Sequence, residues 1–240
     1  MVKISERLRT AAGLIGEGER LADVGTDHGY VPIYLVERKR IPSAIAMDIR
    51  TGPLERAREH IRMYGMEDYI QTRLSDGVAA LKPGETDAIL IAGMGGGLVI
   101  HILESGRAIC EQAHGLVLQP QSELPKVRRF LMENGYVTER EEMVMEDGKY
   151  YPMMRVHFDD SAVSHADSFT EEQELEFRYG KQLLTEKHPV LLAYLHWEVQ
   201  IQQDILTQLS GQSATEQIAA RIDAVKQILA QNARALAYYE

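Results

Sequence analysis

Along the first 158 residues, apolar positions switch repeatedly between a helical period and short unbroken runs. Ser5 is placed to cap a short helix reaching residue 15, with Leu8, Ala11, Ala12 and Ile15 on one face. Residues 21–25 read as a strand that ends in a turn, and residues 30–39 as the helix after it. A second strand over 44–49 precedes a helix over 54–64, with Pro53 at its first turn and Gly65 at its end. Residues 70–74 give a third strand. Residues 88–92 are apolar throughout, the pattern of a strand covered on both faces. A helix over 98–112, a strand over 114–119 and a helix over 125–134, closed by Gly135, follow. Strands over 137–144 and 150–158 flank Glu146-Asp147-Gly148-Lys149, a hairpin turn signal. Strand and helix in alternation, ending on an antiparallel pair, predict an α/β fold: a Rossmann-like, doubly wound sheet over residues 1–160.

The pattern then changes. Residues 159–169 lose periodicity and read as a linker. Thr170 and Gln173 make a capping box that opens a helix, Pro189 interrupts it, and residues 190–209 continue with Leu195, Val199, Leu206 and Leu209 on one seam. Beyond the turn Ser210-Gly211-Gln212, Ser213 with Glu216 gives a second capping box. Ile218, Ile222, Val225, Leu229, Asn232 and Leu236 then step by alternating fours and threes, a heptad seam with one polar position. Residues 165–240 are expected to form an α-helical coiled-coil hairpin. Such a hairpin is too thin for a catalytic domain, but at about 1.5 Å of rise per residue it is long enough to hold a large partner or a second subunit.

Composition narrows the setting. The 240 residues are 45% hydrophobic and 26% charged, and the apolar runs fall far short of a bilayer span, so no membrane partner is expected. The N-terminal stretch, Met1 to Arg7, has no apolar core of a signal peptide. The single cysteine, Cys110, can make neither an internal disulfide nor a zinc cage and reads as packing, so no metal and a reducing, cytoplasmic setting are expected. A net charge of −10 speaks against a polyanionic partner. Residues 1–62, however, carry eleven Lys or Arg against nine Asp or Glu, which leaves the acidic excess to the rest of the chain. Exposed charges act within only ~8–10 Å at physiological salt, so a local basic face is compatible with an acidic protein.

In a doubly wound sheet, ligands bind beyond the carboxyl ends of the strands. The first strand ends in Asp23-Val24-Gly25-Thr26-Asp27-His28-Gly29, where Gly25 and Gly29 suit a backbone passing close to a ligand. A dinucleotide fingerprint would need a glycine where Asp27 stands. Asp23 and Asp27 would repel a pyrophosphate and attract an amino or sulfonium cation. Asp48 ends the second strand 23 residues after Gly25, the spacing at which a carboxylate receives ribose hydroxyls. Asp76-Gly77 after the third strand places another acid at an adenine edge, and Ala92-Gly93-Met94-Gly95-Gly96-Gly97 after the fourth is nearly free of side chains. Each has a plainer alternative: a tight turn for Gly25 and Gly29, a helix N-cap for Asp48, an Asp-Gly turn for Asp76 and core filling for Met94. Taken in order, acids at successive strand ends fit a nucleoside that carries positive charge and no phosphate, S-adenosyl-L-methionine.

The segments running from Ala22 to Pro32, Ala46-Met47-Asp48-Ile49, Ala92-Gly93-Met94-Gly95-Gly96 and Leu118-Gln119-Pro120-Gln121-Ser122 resemble the bacterial tRNA (adenine-22-N1)-methyltransferase family, and the resemblance extends over the whole chain. It implies a class I methyltransferase that moves a methyl group from S-adenosyl-L-methionine to N1 of an adenine in the D-arm region of cytoplasmic tRNA. The candidate cofactor contacts on these segments are Asp23, Gly25, Thr26, Gly29, Asp48 and Ile49, then Asp76, Gly77, Ala92, Gly93, Met94 and Gly95.

The chemistry of the strand ends agrees. Methyltransferases acting on exocyclic amines commonly carry Asn/Asp-Pro-Pro-aromatic after the fourth strand, and this chain does not. Adenine N1 has an in-plane lone pair, so attack on the methyl group needs positioning more than a strong base. Positive charge then appears on the adenine, and Asp27 is the foremost acid to stabilise it. His28 is placed either to accept a proton from the exocyclic amine or to be a satisfied loop histidine. For the base, Tyr30 offers stacking or packs on the first helix. Met94, Gln119 and Pro120 complete that set, with Gln119 reading an adenine edge or tying down the fifth strand's loop. For the tRNA backbone the candidates are Arg7 and Arg9, with Arg50, Arg56, Arg58, Arg62, Lys126, Arg128 and Arg129 as a possible shared surface. Glu55 and Glu59 stand three residues before Arg58 and Arg62 and are their alternative partners. Two other functions remain open: a small-molecule methyltransferase, and a non-catalytic interaction protein that binds S-adenosyl-L-methionine. Monomer and dimer are both compatible with the sequence.

Overall fold

The computed structural model describes residues 1–164, 168–211 and 215–240. They divide into two compact units, Met1–Ser168 and Phe169–Glu240. The first is built on one sheet of seven strands: β1 (Leu21–Val24), β2 (Ala44–Asp48), β3 (Ile70–Leu74), β4 (Ala88–Met94), β5 (Gly115–Pro120), β6 (Tyr136–Glu146) and β7 (Lys149–Phe158), in the order β3-β2-β1-β4-β5-β7-β6. Strands β1 to β5 pair in parallel, and β7 runs antiparallel to both β5 and β6.

Alternation along the strands splits the core in two. Ala22, Val24, Ile89 and Ile91 face one side with α4 (Gly96–Ser105) and α6 (Leu124–Glu133), through Val99, Leu103, Val127 and Leu131. Leu21, Ala44, Ala88 and Leu90 face the other, toward α1 (Glu6–Gly13), α2 (Tyr30–Glu37) and α3 (Thr51–Met63), through Ala11, Ile33 and Ile61. Helices on both faces explain why β1, β2 and β5 are buried along their whole length. The doubly wound reading holds, and Ser5 caps α1 by accepting from the Leu8 amide. The Asp147-Gly148 turn joins β6 to β7 with both residues at positive φ, 49° and 72°, as a primed hairpin turn requires.

One expected element breaks. The helix over 98–112 is divided at Gly106 into α4 and a short α5 (Arg107–Cys110). A Cβ on Gly106 would lie 2.0 Å from Val78 Cγ2, so the segment after β3 packs directly on the backbone there. Periodicity carries no signal of such a contact. Cys110 is fully buried, and burial pushes its thiol up to about 12, so it is packing.

In the second unit both halves of the Thr170–Gln173 capping box form at the start of α7 (Glu171–Tyr179). Gly180, at φ 94°, separates α7 from α8 (Lys181–Thr185). The long helices are α9 (Pro189–Ser210) and α10 (Glu216–Leu236). Ser213 lies outside the described residues, and with it the second expected capping box; the Thr215 hydroxyl accepts from the Ile218 amide at 3.2 Å. The polar member of the heptad seam, Asn232, is fully buried and donates to the Leu195 carbonyl and to Glu198 Oε2, both at 3.0 Å.

Glu198 is the centre of that unit. Its buried carboxylate also accepts from Arg178 and the Tyr179 hydroxyl, each at 2.7 Å, and from the Tyr194 hydroxyl at 3.0 Å. Burial pushes the carboxyl up, and the bonds from Asn232, Tyr179 and Arg178 more than reverse this, holding it below its ordinary value. Glu198→Ala strips four donors, two of them on buried residues, of their shared acceptor and should destabilise the unit by about 3–5 kcal/mol in denaturant titrations. Because the folded pKa is lowered, this stabilisation is complete above the unfolded carboxylate value and is lost as pH falls below it. The variant should therefore lose less stability on acidification than the parent.

Candidate active site

The order in which the chain adds strands reverses between β1 and β4, and the segments that leave these two strands build the site. Gly25 and Thr26 both donate their amides to the Met47 carbonyl at 2.8 Å, which folds the turn after β1 back over the end of β2. That geometry needs positive φ at Gly25, 78°, and a Cβ there would lie 2.1 Å from Met94 Cε. Met94 thus leans over the first turn while also packing on the core below, which is its core-filling reading.

A cavity of about 300 Å³ opens between the two turns, within the size range of small-molecule sites. One wall is the segment from Gly25 to Tyr30, with Asp23 beneath it; Ala92, Gly93 and Gln121 stand opposite, and Arg7 reaches in from α1. The two acids of the first turn differ sharply. Asp23 is buried, and burial pushes its carboxyl up to about 6, with the Thr26 hydroxyl bond opposing and the nearby Asp48 charge adding. Asp27 is exposed at the rim, where Arg56 Nη2 bonds Oδ1 at 2.7 Å and holds the carboxyl below its usual range. His28 Nε2 lies 3.3 Å from the other Asp27 oxygen, and His28 Nδ1 is buried without a hydrogen-bond partner.

Asp48 is buried at the end of β2, where Oδ1 accepts from the Arg50 amide at 2.8 Å, and its neighbour Ile49 is exposed. Asp76 is exposed in the turn after β3, in which the Ser75 hydroxyl donates to the Gly77 carbonyl at 2.8 Å. Gly95 is the N-cap of α4. These four strand ends lie along one edge of the sheet, as the order β3-β2-β1-β4 requires.

The substrate set is less uniform. Gln119 is fully buried, off the cavity wall, and its Oε1 accepts from Arg7 Nη1 at 2.8 Å and from the Gly93 amide at 3.1 Å. It ties β5 to the last residues of β4 and presents no edge to a base. Pro120 is buried beside it and pairs with Met94 in the sheet. Arg9 bonds Glu6 on its own helix, away from the cavity wall. Among the outer arginines, Arg58 donates to the Thr72 hydroxyl and Arg62 pairs with Glu67, so neither takes the Glu55 or Glu59 partner that helical spacing offered. Arg128 is not part of a basic face: it is buried and bonds Glu141 at 2.9 Å.

Sequence reasoning passed over His60. Its ring stands 4.8 Å from that of Tyr30 and 5.3 Å from that of His28, and its Nδ1 lies 3.1 Å from the His28 carbonyl. The available signal was its place four residues after Arg56 on α3, a spacing that puts both on one face. Among the described residues, no helix is long and apolar enough to cross a membrane, and no cluster of His, Cys, Asp or Glu is arranged to hold a metal ion.

A parallel sheet closed by an antiparallel hairpin, with acids and glycine turns at its switch point, defines a Rossmann-like methyltransferase, and a model of the methyltransferase domain matches residues 4–154. The tRNA (adenine(22)-N(1))-methyltransferase of Bacillus subtilis strain 168 is 34% identical over 235 residues, 95% of this chain and 98% of that protein. The crystal structure of the B. subtilis tRNA methyltransferase TrmK superposes with a TM-score of 0.82 at 32% identity, covering 98% of this chain and 99% of that one. TrmK of M. capricolum, in complex with S-adenosyl-homocysteine, gives 0.75 at 26% identity, with 95% and 98% covered. The chain belongs to the tRNA (adenine(22)-N(1))-methyltransferase family.

The Gln119 tie is directly testable. Gln119→Leu removes the acceptor shared by Arg7 Nη1 and the Gly93 amide; at about 0.5–1.5 kcal/mol per lost bond it should cost about 1–3 kcal/mol, a fall in Tm of roughly 2–8 °C. Gln119→Glu keeps the acceptor oxygen and should remain close to the parent in the same thermal melts.

Proposed function

We propose that this protein methylates N1 of an adenine in tRNA, at position 22 in the D-arm region, with S-adenosyl-L-methionine as methyl donor. The observation that carries the reading is the acid-walled cavity at the β1–β4 switch point, in a chain 34% identical along nearly its whole length to a tRNA (adenine(22)-N(1))-methyltransferase. The residues present suit that donor: Asp23 under the turn and Asp48 at the next strand end are acids, where a phosphate-bearing cofactor would need donors. In this reading Asp48 receives the ribose hydroxyls. Asp76 and Gly77 would hold the adenine of the donor, and Gly25, Thr26, Gly29 and the residues from Ala92 to Gly95 at the end of β4 would hold its amino-acid arm.

S-adenosyl-L-methionine supplies an electrophilic methyl group on a sulfonium. The chain's own part is to bring adenine N1 in line with it and to meet the charge that follows. As the N1–C bond forms and the C–S bond breaks, positive charge moves onto the adenine. Asp27, ionised at the rim and bonded to Arg56, is the carboxylate that faces it. Tyr30 supplies a ring for the base to lie against. His28, beside Asp27 in the same turn, accepts a proton from the exocyclic amine when the methylated base sheds one. Arg7 and the exposed arginines of α3 meet the tRNA backbone. Residues 1–160 form the catalytic domain, the helices of 165–240 form an arm that holds the folded RNA, and the work is done in the cytoplasm.

Incubation with unmodified tRNA and labelled donor should yield 1-methyladenosine. Asp27→Ala should lower turnover far more than donor affinity, the sign of an interaction made in the transition state. A chain ending at Ser168 should bind the donor and lose tRNA methylation. Unmodified adenine after incubation with the parent protein would overturn the reading.

Donor binding should also depend on pH in a defined direction. A cation brought beside Asp23 favours its ionised form and lowers a pKa that is about 6 in the free protein. Calorimetric affinity should therefore be constant well above pH 6 and weaken as pH falls through it, by up to about ten-fold per unit. Asp23→Asn should flatten that dependence.

A further inference from the structure

The turn at the cavity rim is held from outside itself. Gly25 and Thr26 are tied to Met47, and the Gly29 amide to the Thr26 hydroxyl at 3.2 Å, so both ends of the turn are fixed. Between them stand Asp27 and His28. Among the described residues, the hydrogen bonds that reach these two from elsewhere in the chain come from α3: Arg56 Nη2 to Asp27 Oδ1 at 2.7 Å, and His60 Nδ1 to the His28 carbonyl at 3.1 Å. A carbonyl only accepts, so Nδ1 of His60 carries the proton. Ala57, on the same face of α3, lies against Gly29, where an added Cβ would meet its methyl at 3.4 Å. The rings of His28, Tyr30 and His60 complete the contact. Their planes lie within 30° of one another and all three centroid separations fall between 4.8 and 5.3 Å, so they form a compact triangle and not a column.

We propose that His60 and Arg56 are positioning residues for the methyl transfer: one face of α3 braces the Asp27-His28 turn, His60 through the main chain and the Tyr30 ring, Arg56 through the carboxylate. The inference rests on the activity proposed above, since it gives the turn a task. Neither residue lines the cavity wall. Their effect passes through Asp27, His28 and Tyr30, whose distance from the reacting base α3 sets. A displacement of ~1 Å at reacting atoms can cost as much as ~10²-fold in rate, so a brace of two hydrogen bonds is enough to matter.

The test compares His60→Ala with His60→Asn, whose amide nitrogen can donate from near the Nδ1 position, and Arg56→Ala with Arg56→Lys, in the full chain. Each alanine variant should lower kcat on tRNA by about ten-fold, with the Kd for S-adenosyl-L-methionine changed by less than about two-fold. The conservative variants should recover most of the rate. Independently of activity, amide hydrogen exchange across residues 26–30 should speed up in His60→Ala and return toward the parent in His60→Asn. Parental kcat and parental exchange in His60→Ala would overturn the proposal. Equal losses in His60→Ala and His60→Asn would overturn it too, because the donated hydrogen bond would then not be the cause. If the parent protein leaves tRNA unmethylated while the exchange pattern follows the expectation, the brace stands and the assigned activity fails.

Discussion

One carbonyl oxygen organises the site. Met47, the penultimate residue of β2, accepts from the amides of both Gly25 and Thr26, and this double acceptance ends β1 and folds its loop across the neighbouring strand. Everything near the cavity is placed relative to that fold-back. It sets Asp23 below the turn and Asp27 above it, brings Gly25 under Met94, and leaves the Gly29 end free to start α2. Glycine suits position 25 because its φ of 78° lies in the left-handed region that side chains disfavour, and a Cβ there would also push the Met94 methyl aside.

The same turn shows how environment assigns roles to like residues. Asp23 and Asp27 are four positions apart, yet one is buried with its carboxyl pushed up to about 6 and the other is exposed and held ionised by Arg56. A buried acid near neutrality responds to a cation that arrives beside it. An exposed, ion-paired acid carries a constant charge at the entrance. Opposite shifts in neighbouring groups are the arrangement expected where a site must both recognise a charged ligand and tolerate charge that develops later. The protein is acidic overall, so its net charge does not favour a polyanion.

The second unit solves a different problem with similar means. Its two long helices meet at a polar pair, Asn232 of α10 and Glu198 of α9, and that carboxylate leads to Arg178, Tyr179 and Tyr194. A buried carboxylate is tolerable only when its acceptor sites are filled, and here four donors fill them. Such a network restricts which residues can face one another, which fits a helix pair that must hold one register.

What the sequence alone determined is periodic or local. The strands covered on both faces, the Ser5 and Thr170 caps, the Asp147-Gly148 hairpin and the polar position at Asn232 are all written within a few residues of where they act. The acids at successive strand ends were legible too, because strand ends are local and the fold places them along one edge. Tertiary structure decided the rest. Gly106 breaks a helix because Val78, 28 positions earlier, packs on it. Gln119 turns inward because Arg7 and Gly93 supply donors from other elements. Arg128 is drawn from a supposed basic face into a buried pair with Glu141, and His60 joins Tyr30 across a gap of 30 residues. A side chain's partners are set by distance in space, and one chain position carries no record of which distant donor or methyl group will arrive beside it.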